Sequence, residues 1–298
     1  MDKEHIAIER LKTASEMSLT YYQQPLIITD SGGKDSTVCK ELAIRAGIPF
    51  EVMHNHTTAD APDTVRFVRS ELHRLEDKGI KCTVNLPTYK GERTSMWKLI
   101  PQKLIPPLRI VRYCCSVLKE RGGANRFIAT GVRWAESNNR KESRAAYEKL
   151  GSSKANKVMV NNDNDAKRML FENCRLKTKR VVNPIVDWTD DDVWNFIRDS
   201  KIPYNPLYNE GWCRVGCIGC PVAGTKGREK EFLRWPQYKD MYINAFDRML
   251  EERKRRGVFN ELSAMGTTGK DVFNWWMEYD VLPGQIGFDE YLVEEDEA

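Results

Sequence analysis

Long apolar runs are what this 298-residue chain has least of. No stretch approaches the ~20 residues that a membrane-spanning helix needs, so no membrane partner is expected. The opening residues Met1-Asp2-Lys3-Glu4-His5 are charged and carry no signal-peptide core. The expectation from both is a cytoplasmic protein. Net charge is only +4, which permits nucleic acid as a partner without arguing for it. Histidine is scarce, with four residues and none beyond His73. Cysteine stops at Cys220. Internal repeats and low-complexity tracts are absent. What is there, 41% apolar and 30% charged residues, suits a soluble globular chain of one large or two smaller domains.

Directly after the apolar run 25–29 stands Asp30-Ser31-Gly32-Gly33-Lys34-Asp35-Ser36. A strand running through two glycines into a helix places backbone N–H groups at a helix start. With Lys34 those groups can hold an anion. The G-x-x-x-x-G-K spacing of the common P-loop is missing, so γ-phosphoryl transfer is not the chemistry indicated. An ordinary Gly-Gly turn is the bland alternative. The whole hexapeptide behind an apolar run favours phosphate instead. It resembles the pyrophosphate loop of the ATP pyrophosphatase superfamily. That resemblance implies cleavage of ATP between the α- and β-phosphates, with adenylate formed and pyrophosphate lost.

Around this loop the pattern alternates. Helices are expected over 5–23, 36–46, 63–78, 96–104 and 114–120. Strands are expected over 25–29, 49–56, 80–86, 127–132 and 180–186. Residues 133–144 are polar and basic. Residues 149–157 and 161–165 read as a loop or β-excursion. Thr189 to Asp192 reads as a capping box that opens a helix through Arg198. Strands alternating with helices predict an α/β fold, a mostly parallel sheet with helices on both faces. Ligands in such sheets sit at the carboxyl ends of strands, where SGGKDS lies. Beyond Cys220 the composition shifts, with a charged helical stretch at 226–256 and a helix over 271–279. The division predicted is a nucleotide-binding domain at 1–220 and a helical C-terminal extension at 221–298. The acidic tail 294–297 reads as a solvated end, and Trp275-Trp276 as packing against the sheet domain.

Eight cysteines in a cytoplasmic chain do not suggest a disulfide framework. Their grouping suggests metal. Cys114 and Cys115 are adjacent, and Cys213, Cys217 and Cys220 form C-x3-C-x2-C. Thiolates suit zinc or iron–sulfur clusters. A tandem pair is poor geometry for one tetrahedral zinc but can be accommodated by a cubane. Zinc remains the rival. The radical-SAM spacing also matches, but it would lie late in the chain and leave SGGKDS unexplained. Cys39, Cys82 and Cys174 read as small buried hydrophobes.

Several further stretches carry a family resemblance. They are Thr58-Ala59-Asp60-Ala61-Pro62-Asp63-Thr64, Thr130-Gly131-Val132-Arg133-Trp134-Ala135-Glu136-Ser137 with Arg140 and Arg144, and Asn183-Pro184-Ile185-Val186-Asp187-Trp188-Thr189 with Asp192, Val193 and Trp194. Ile202-Pro203-Tyr204-Asn205-Pro206-Leu207-Tyr208 continues the match. Over residues 10–222 the chain resembles the phosphoadenosine phosphosulfate (PAPS) reductase family. The implied fold is adenine nucleotide α-hydrolase-like. The set Cys114, Cys115, Cys217 and Cys220, with Cys213 as alternate, is similar to the [4Fe–4S] ligands of cluster-bearing adenylyl-sulfate reductases. The family's reductases carry a nucleophilic cysteine in a C-terminal tail motif that this sequence does not show. The chain also resembles, in general terms, the ATP-pyrophosphatase component of DNA phosphorothioation.

The resemblance and the residue types together assign roles. Ser31, Gly32, Gly33 and Ser36 are expected to cradle phosphate, and Lys34 to neutralise the departing pyrophosphate. Asp35 either orients magnesium or simply favours the helix start. Arg133, Arg140 and Arg144 offer guanidinium forks for oxyanions, beside Gly131. Asp60 is expected to touch ribose or metal, or to cap the helix that follows. Trp188 and Trp194 read as core. The basic run 253–256 alternates with acids and reads as a solvated helix face. The leading function is an ATP- and magnesium-dependent adenylating enzyme that activates a substrate for sulfur transfer, with a sulfur-donor protein and nucleic acid as the acceptor among its partners. Reduction of an adenylyl sulfate is the alternative. A non-catalytic nucleotide-binding subunit is the third reading.

Overall fold

The computed structural model describes residues 2–120, 122–136, 141, 144–150, 158–160, 179–258 and 265–278. Arg140, Cys174, the stretch 161–165 and the acidic tail lie outside the described residues. Along the chain, α1 (Lys3–Tyr22) precedes β1 (Leu26–Asp30), α2 (Lys34–Arg45), β2 (Phe50–Asn55), α3 (Pro62–Glu76) and β3 (Cys82–Asn85). A hairpin of β4 (Thr88–Tyr89) and β5 (Glu92–Arg93) leads to α4 (Met96–Lys103) and α5 (Tyr113–Leu118). Then come β6 (Phe127–Ala129), β7 (Tyr147–Leu150), β8 (Val158–Val160), β9 (Lys179–Val182), α6 (Asp190–Ser200), α7 (Gly224–Arg234), α8 (Pro236–Arg255) and α9 (Gly269–Glu278).

Contacts divide the chain into two units. The first is Met1–Asn55, Pro62–Asn85 and Arg121–Val215, and the second is His56–Ala61, Leu86–Glu120 and Gly216–Ala298. The sequence reading cuts the chain once, at residue 220. The contacts interleave its segments.

The first unit holds a seven-stranded sheet in the order β3-β2-β1-β6-β9-β7-β8. β3, β2, β1, β6 and β9 pair in parallel, and β7 and β8 add antiparallel edge strands. Leu26, Ile27 and Ile28 are all buried, as a central strand covered on both faces requires. Leu26 and Ile28 join Phe127, Val182, Leu42 and Leu72 in the main core, whereas Ile27 joins Met53, Ile128 and Val181 in a smaller cluster. Cys39 lies in the main core. Trp188 is buried there, and Trp194 packs against it. The chain runs outward from β1 to β3 and then returns to β6 on the other side of β1. The reversal makes the end of β1 a topological switch point, where sheets of this kind bind ligands.

Among the boundaries that differ from expectation, three are instructive. The strand expected to Val186 stops at Val182, because Pro184 has no N–H for the ladder. The strand expected to Val132 stops at Ala129, just before Gly131. The helical stretch 226–256 is two helices, since Pro236 is tolerated only in a first turn. The Thr189 capping box forms as expected, with the Asp192 side chain returning to the Thr189 N–H.

The second unit is mainly helical. Its core is aromatic, with Trp276 fully buried against Tyr242 and Phe246 at centroid distances of 4.7 and 5.5 Å. Trp276 Nε1 donates to the Pro107 carbonyl at 2.7 Å. Arg228 lies over the Trp276 ring and donates to its carbonyl at 2.8 Å. Trp276 is thus packed within this unit. No helix among the described residues is long and apolar enough to cross a membrane.

Candidate functional site

The phosphate loop is built on Asp30, the last residue of β1. Asp30 is buried and accepts from the Gly32 N–H at 2.9 Å, the Ser36 hydroxyl at 3.0 Å and Lys40 Nζ at 2.6 Å. Ser36 Oγ also lies 2.9 Å from the Gly33 carbonyl, an alternative acceptor for its one proton. These bonds hold the loop folded back on the helix start. Gly32 has φ +73°, and a Cβ there would meet Thr64 Cγ2 at 2.7 Å and Val68 Cγ2 at 2.8 Å. Gly32→Ala combines left-handed strain with overpacking, so a loss of about 2–4 kcal/mol is expected, read as a lower midpoint in urea.

Burial opposes ionisation of Asp30, but Lys40, the Gly32 N–H and His54 outweigh it and hold the carboxyl below its ordinary 3.8. That stability is full above the ordinary value and is lost as pH falls through the lower folded one. Asp30→Asn removes this acid-side dependence. It also leaves Lys40 short of its buried partner, at a cost of about 3–5 kcal/mol. Denaturant melts near neutral pH and near pH 3 check both effects.

Above the loop, α2 begins without a side-chain cap at Gly33. The N–H groups of Gly33, Asp35 and Ser36 have no acceptor among the described residues, as the first turn of a helix leaves them. The Lys34 N–H donates to Tyr208 Oη at 3.0 Å. Lys34 is largely buried, with Nζ 3.2 Å from Asp190 Oδ1 and 3.5 Å from Asp35 Oδ2. Arg133 is 1% exposed and forks between Asp35 Oδ1 and Asp190 Oδ1, each at 2.7 Å. Its third bond is to the Trp188 carbonyl at 3.3 Å. Burial raises Asp190, but Arg133 and Lys34 outweigh it and hold its carboxyl below the usual range. Gly131 follows β6 and abuts the backbone of Asp35 and Ser36.

The first unit therefore brings together Ser31, Gly32, Gly33, Lys34, Asp35, Ser36, Gly131 and Arg133. The fork of Arg133 is aimed at two carboxylates of the protein itself. Arg144 pairs with buried Glu148 at 3.1 Å. Cys213 is exposed and belongs to this unit. Three residues of the site escaped the sequence reading. Asn205, fully buried, donates to the Gly32 carbonyl and to Thr64 Oγ1, both at 3.1 Å. Tyr208 caps the Lys34 N–H, and burial pushes its hydroxyl up to about 12. Asp190 had signalled only the first turn of a helix. Asn205 and Tyr208 were marked only by the Asn-Pro-Leu-Tyr run.

The second unit gathers Cys114, Cys115, Cys217 and Cys220 around one pocket, with Thr57, Lys119 and Tyr242 also in its wall. Cys114 and Cys115 sit on α5, while Cys217 comes from a strand-like bridge to Asp60. Asp60, expected at the nucleotide, lies here. Its Oδ2 accepts the Thr57 N–H at 2.9 Å, and its carbonyl accepts from Tyr238 Oη at 2.8 Å. Gly219 has φ +71°, and a Cβ there would come within 2.7 Å of Tyr242 Cε2 and 2.9 Å of Phe232 Cζ. The backbone between Cys217 and Cys220 can press on the aromatic core only as glycine.

Electrostatics favour thiolate at Cys115 and oppose it at Cys114 and Cys217. A hydrogen bond from Cys114, with Arg112 and Lys119 nearby, lowers Cys115 and correspondingly raises Cys114. Burial pushes Cys217 up to about 11. Half-buried Lys119 is held charged by Cys217 against the cost of burial, with help from Asp60, Cys115 and Cys220. Among the described residues no three thiols lie within 4.8 Å of one another. A tetrahedral zinc, with Zn–S about 2.3 Å, needs its sulfurs about 3.8 Å apart. Four soft thiols around one pocket suit an iron–sulfur cluster, and would suit zinc only if the sulfurs drew together.

Residues 25–223 match the phosphoadenosine phosphosulfate reductase domain. The chain belongs to that family. Membership places the loop in the PP-loop, adenine nucleotide α-hydrolase superfamily and accounts for the mostly parallel sheet. An uncharacterised protein of Methanocaldococcus jannaschii is 29% identical over 234 residues, 76% of this chain and 47% of that protein. The chain thus spans about half of that relative's length. An adenosine 5′-phosphosulfate reductase of Staphylococcus epidermidis is 24% identical over 72% of this chain and 77% of its own. Among solved structures, the U34-tRNA thiolase of Methanococcus maripaludis with its [4Fe–4S] cluster aligns with a TM-score of 0.42. It is 14% identical over 93% of this chain and 82% of its own.

Proposed function

We propose that the chain is an ATP pyrophosphatase that adenylates a substrate and so prepares it to accept sulfur. The observation that carries this reading is the start of α2, where open N–H groups, the Lys34 ammonium and two carboxylates converge. The N–H groups of Gly33, Asp35 and Ser36 would hold the β- and γ-phosphates. Asp35 and Asp190, kept in place by Arg133, are the carboxylates that would hold magnesium directly or through water. A nucleophilic oxygen of the substrate attacks the α-phosphorus, and the bond from that phosphorus to the bridging oxygen breaks. Pyrophosphate leaves with the electron pair, its charge met by Lys34. A sulfur nucleophile then displaces AMP from the activated carbon. Cys114, Cys115, Cys217 and Cys220 would hold a [4Fe–4S] cluster, which when bound supplies iron with an affinity for sulfur.

Anaerobic turnover of α-labelled ATP, with adenylyl sulfate in parallel, tests the proposal. Pyrophosphate and AMP in the first assay are expected. Sulfite in the second without pyrophosphate in the first would establish the reductase reading suggested by the Staphylococcus relative.

A further inference from the structure

We infer that the second unit binds the phosphate backbone of a single-stranded nucleic acid along the β4–β5 hairpin and the loop joining α4 to α5. The inference builds on the proposed function only in taking that strand as the acceptor. Residues 86–120 carry seven Lys or Arg against Glu92 and Glu120 alone. Among the described residues Lys90, Arg93, Lys98, Lys103 and Arg109 have no carboxylate within 4.0 Å. The basic run on α8 is different. There Arg255 and Arg256 both pair with Glu252, and Arg253 is buried on the Leu104 carbonyl. The α8 run is partly compensated through Glu252, whereas those five residues have no carboxylate partner among the described residues. Uncompensated like charges on one surface cost stability, and a polyanion relieves that cost.

The surface also has a shape. Lys90 and Gly91 take left-handed φ of 53° and 86° and make a two-residue turn. Lys90 and Lys103 both reach the Tyr89 ring, at 5.7 and 4.6 Å from its centroid. Cation–π attraction holds both ammonium groups over this half-buried ring and so fixes two phosphate-binding charges side by side. Farther along, Ile110 is 58% exposed next to Arg109. Exposed Arg112 donates to Cys115 Sγ at 3.4 Å. The basic surface therefore ends at the cysteine pocket, and a strand lying on it would be led to the thiols.

Binding of a short fluorescein-labelled single-stranded RNA, and of DNA of the same sequence, to the full chain is read by anisotropy. With a salt slope of about −0.7 per phosphate, four contacts weaken binding roughly 50-fold from about 50 to 200 mM salt. The Lys90→Glu/Arg93→Glu/Arg109→Glu variant is expected to bind at least about tenfold more weakly, with the slope reduced by about 2. A charge-matched Lys254→Glu/Arg255→Glu/Arg256→Glu variant is expected to stay within about threefold. Equal loss in both variants, or wild-type binding that ignores salt, overturns the inference. Lys34→Ala separates the two levels, since it should lose pyrophosphate release and keep strand binding. If the wild type binds the strand at the hairpin but releases no pyrophosphate, the surface stands and the proposed function falls.

Discussion

Replacing Lys34 with alanine is expected to cut pyrophosphate release from ATP by about 10²–10³-fold, the usual cost of removing one preorganised charge at a developing anion. The expectation follows from how little freedom Lys34 has. Its side chain is 10% exposed and lies between Asp35 and Asp190. It is fixed before nucleotide arrives, so little reorganisation opposes its action when charge moves onto pyrophosphate. The loss should fall mainly on kcat, because the N–H groups of the loop still bind the ground-state phosphates. Lys34→Arg keeps the charge but not the compact ammonium and should recover only part of the rate. Turnover of α-labelled ATP at several concentrations measures both constants. An unchanged kcat in Lys34→Ala would remove Lys34 from the chemistry and turn attention to the non-catalytic reading.

How much of this was legible beforehand follows from distance along the chain. SGGKDS, the apolar β1 and the Thr189 capping box are local patterns, and each sits where the periodicity put it. The braces of the loop are not local. Tyr208 reaches Lys34 across 174 residues, and Asn205 reaches Gly32 across 173. Their residue types gave no hint of a partner. Asp190 looked like ordinary first-turn acid, because only the fold brings Arg133 against it. Asp60, read as a ribose or metal contact or a helix cap, pairs its backbone with Cys217, 157 residues away, and no local pattern shows that partner. The hairpin at Thr88–Arg93 left no signal, being two residues per strand. Once folded, it carries two of the unpaired cations, Lys90 in its turn and Arg93 on β5.

The other large effect belongs to Cys217. After anaerobic reconstitution, Cys217→Ala is expected to lose most of its iron and acid-labile sulfide, while Cys213→Ala keeps both. Cys217 is the most constrained of the four thiols. It is 7% exposed, its Sγ donates to Thr57 Oγ1 at 3.3 Å, and its backbone is pinned to Asp60. The next residue donates from Ile218 N to the Ala59 carbonyl at 2.8 Å. A ligand held this firmly cannot be replaced by a neighbour swinging in. Cys213, exposed, carries no such constraint. Iron, zinc and sulfide are counted on the same samples. Full iron and sulfide in Cys217→Ala would overturn the ligand assignment. Zinc without sulfide in the wild type would replace the cluster with a mononuclear site. The sulfurs would then have to close to about 3.8 Å of one another, a contraction that would pull α5 toward Cys217 and Cys220.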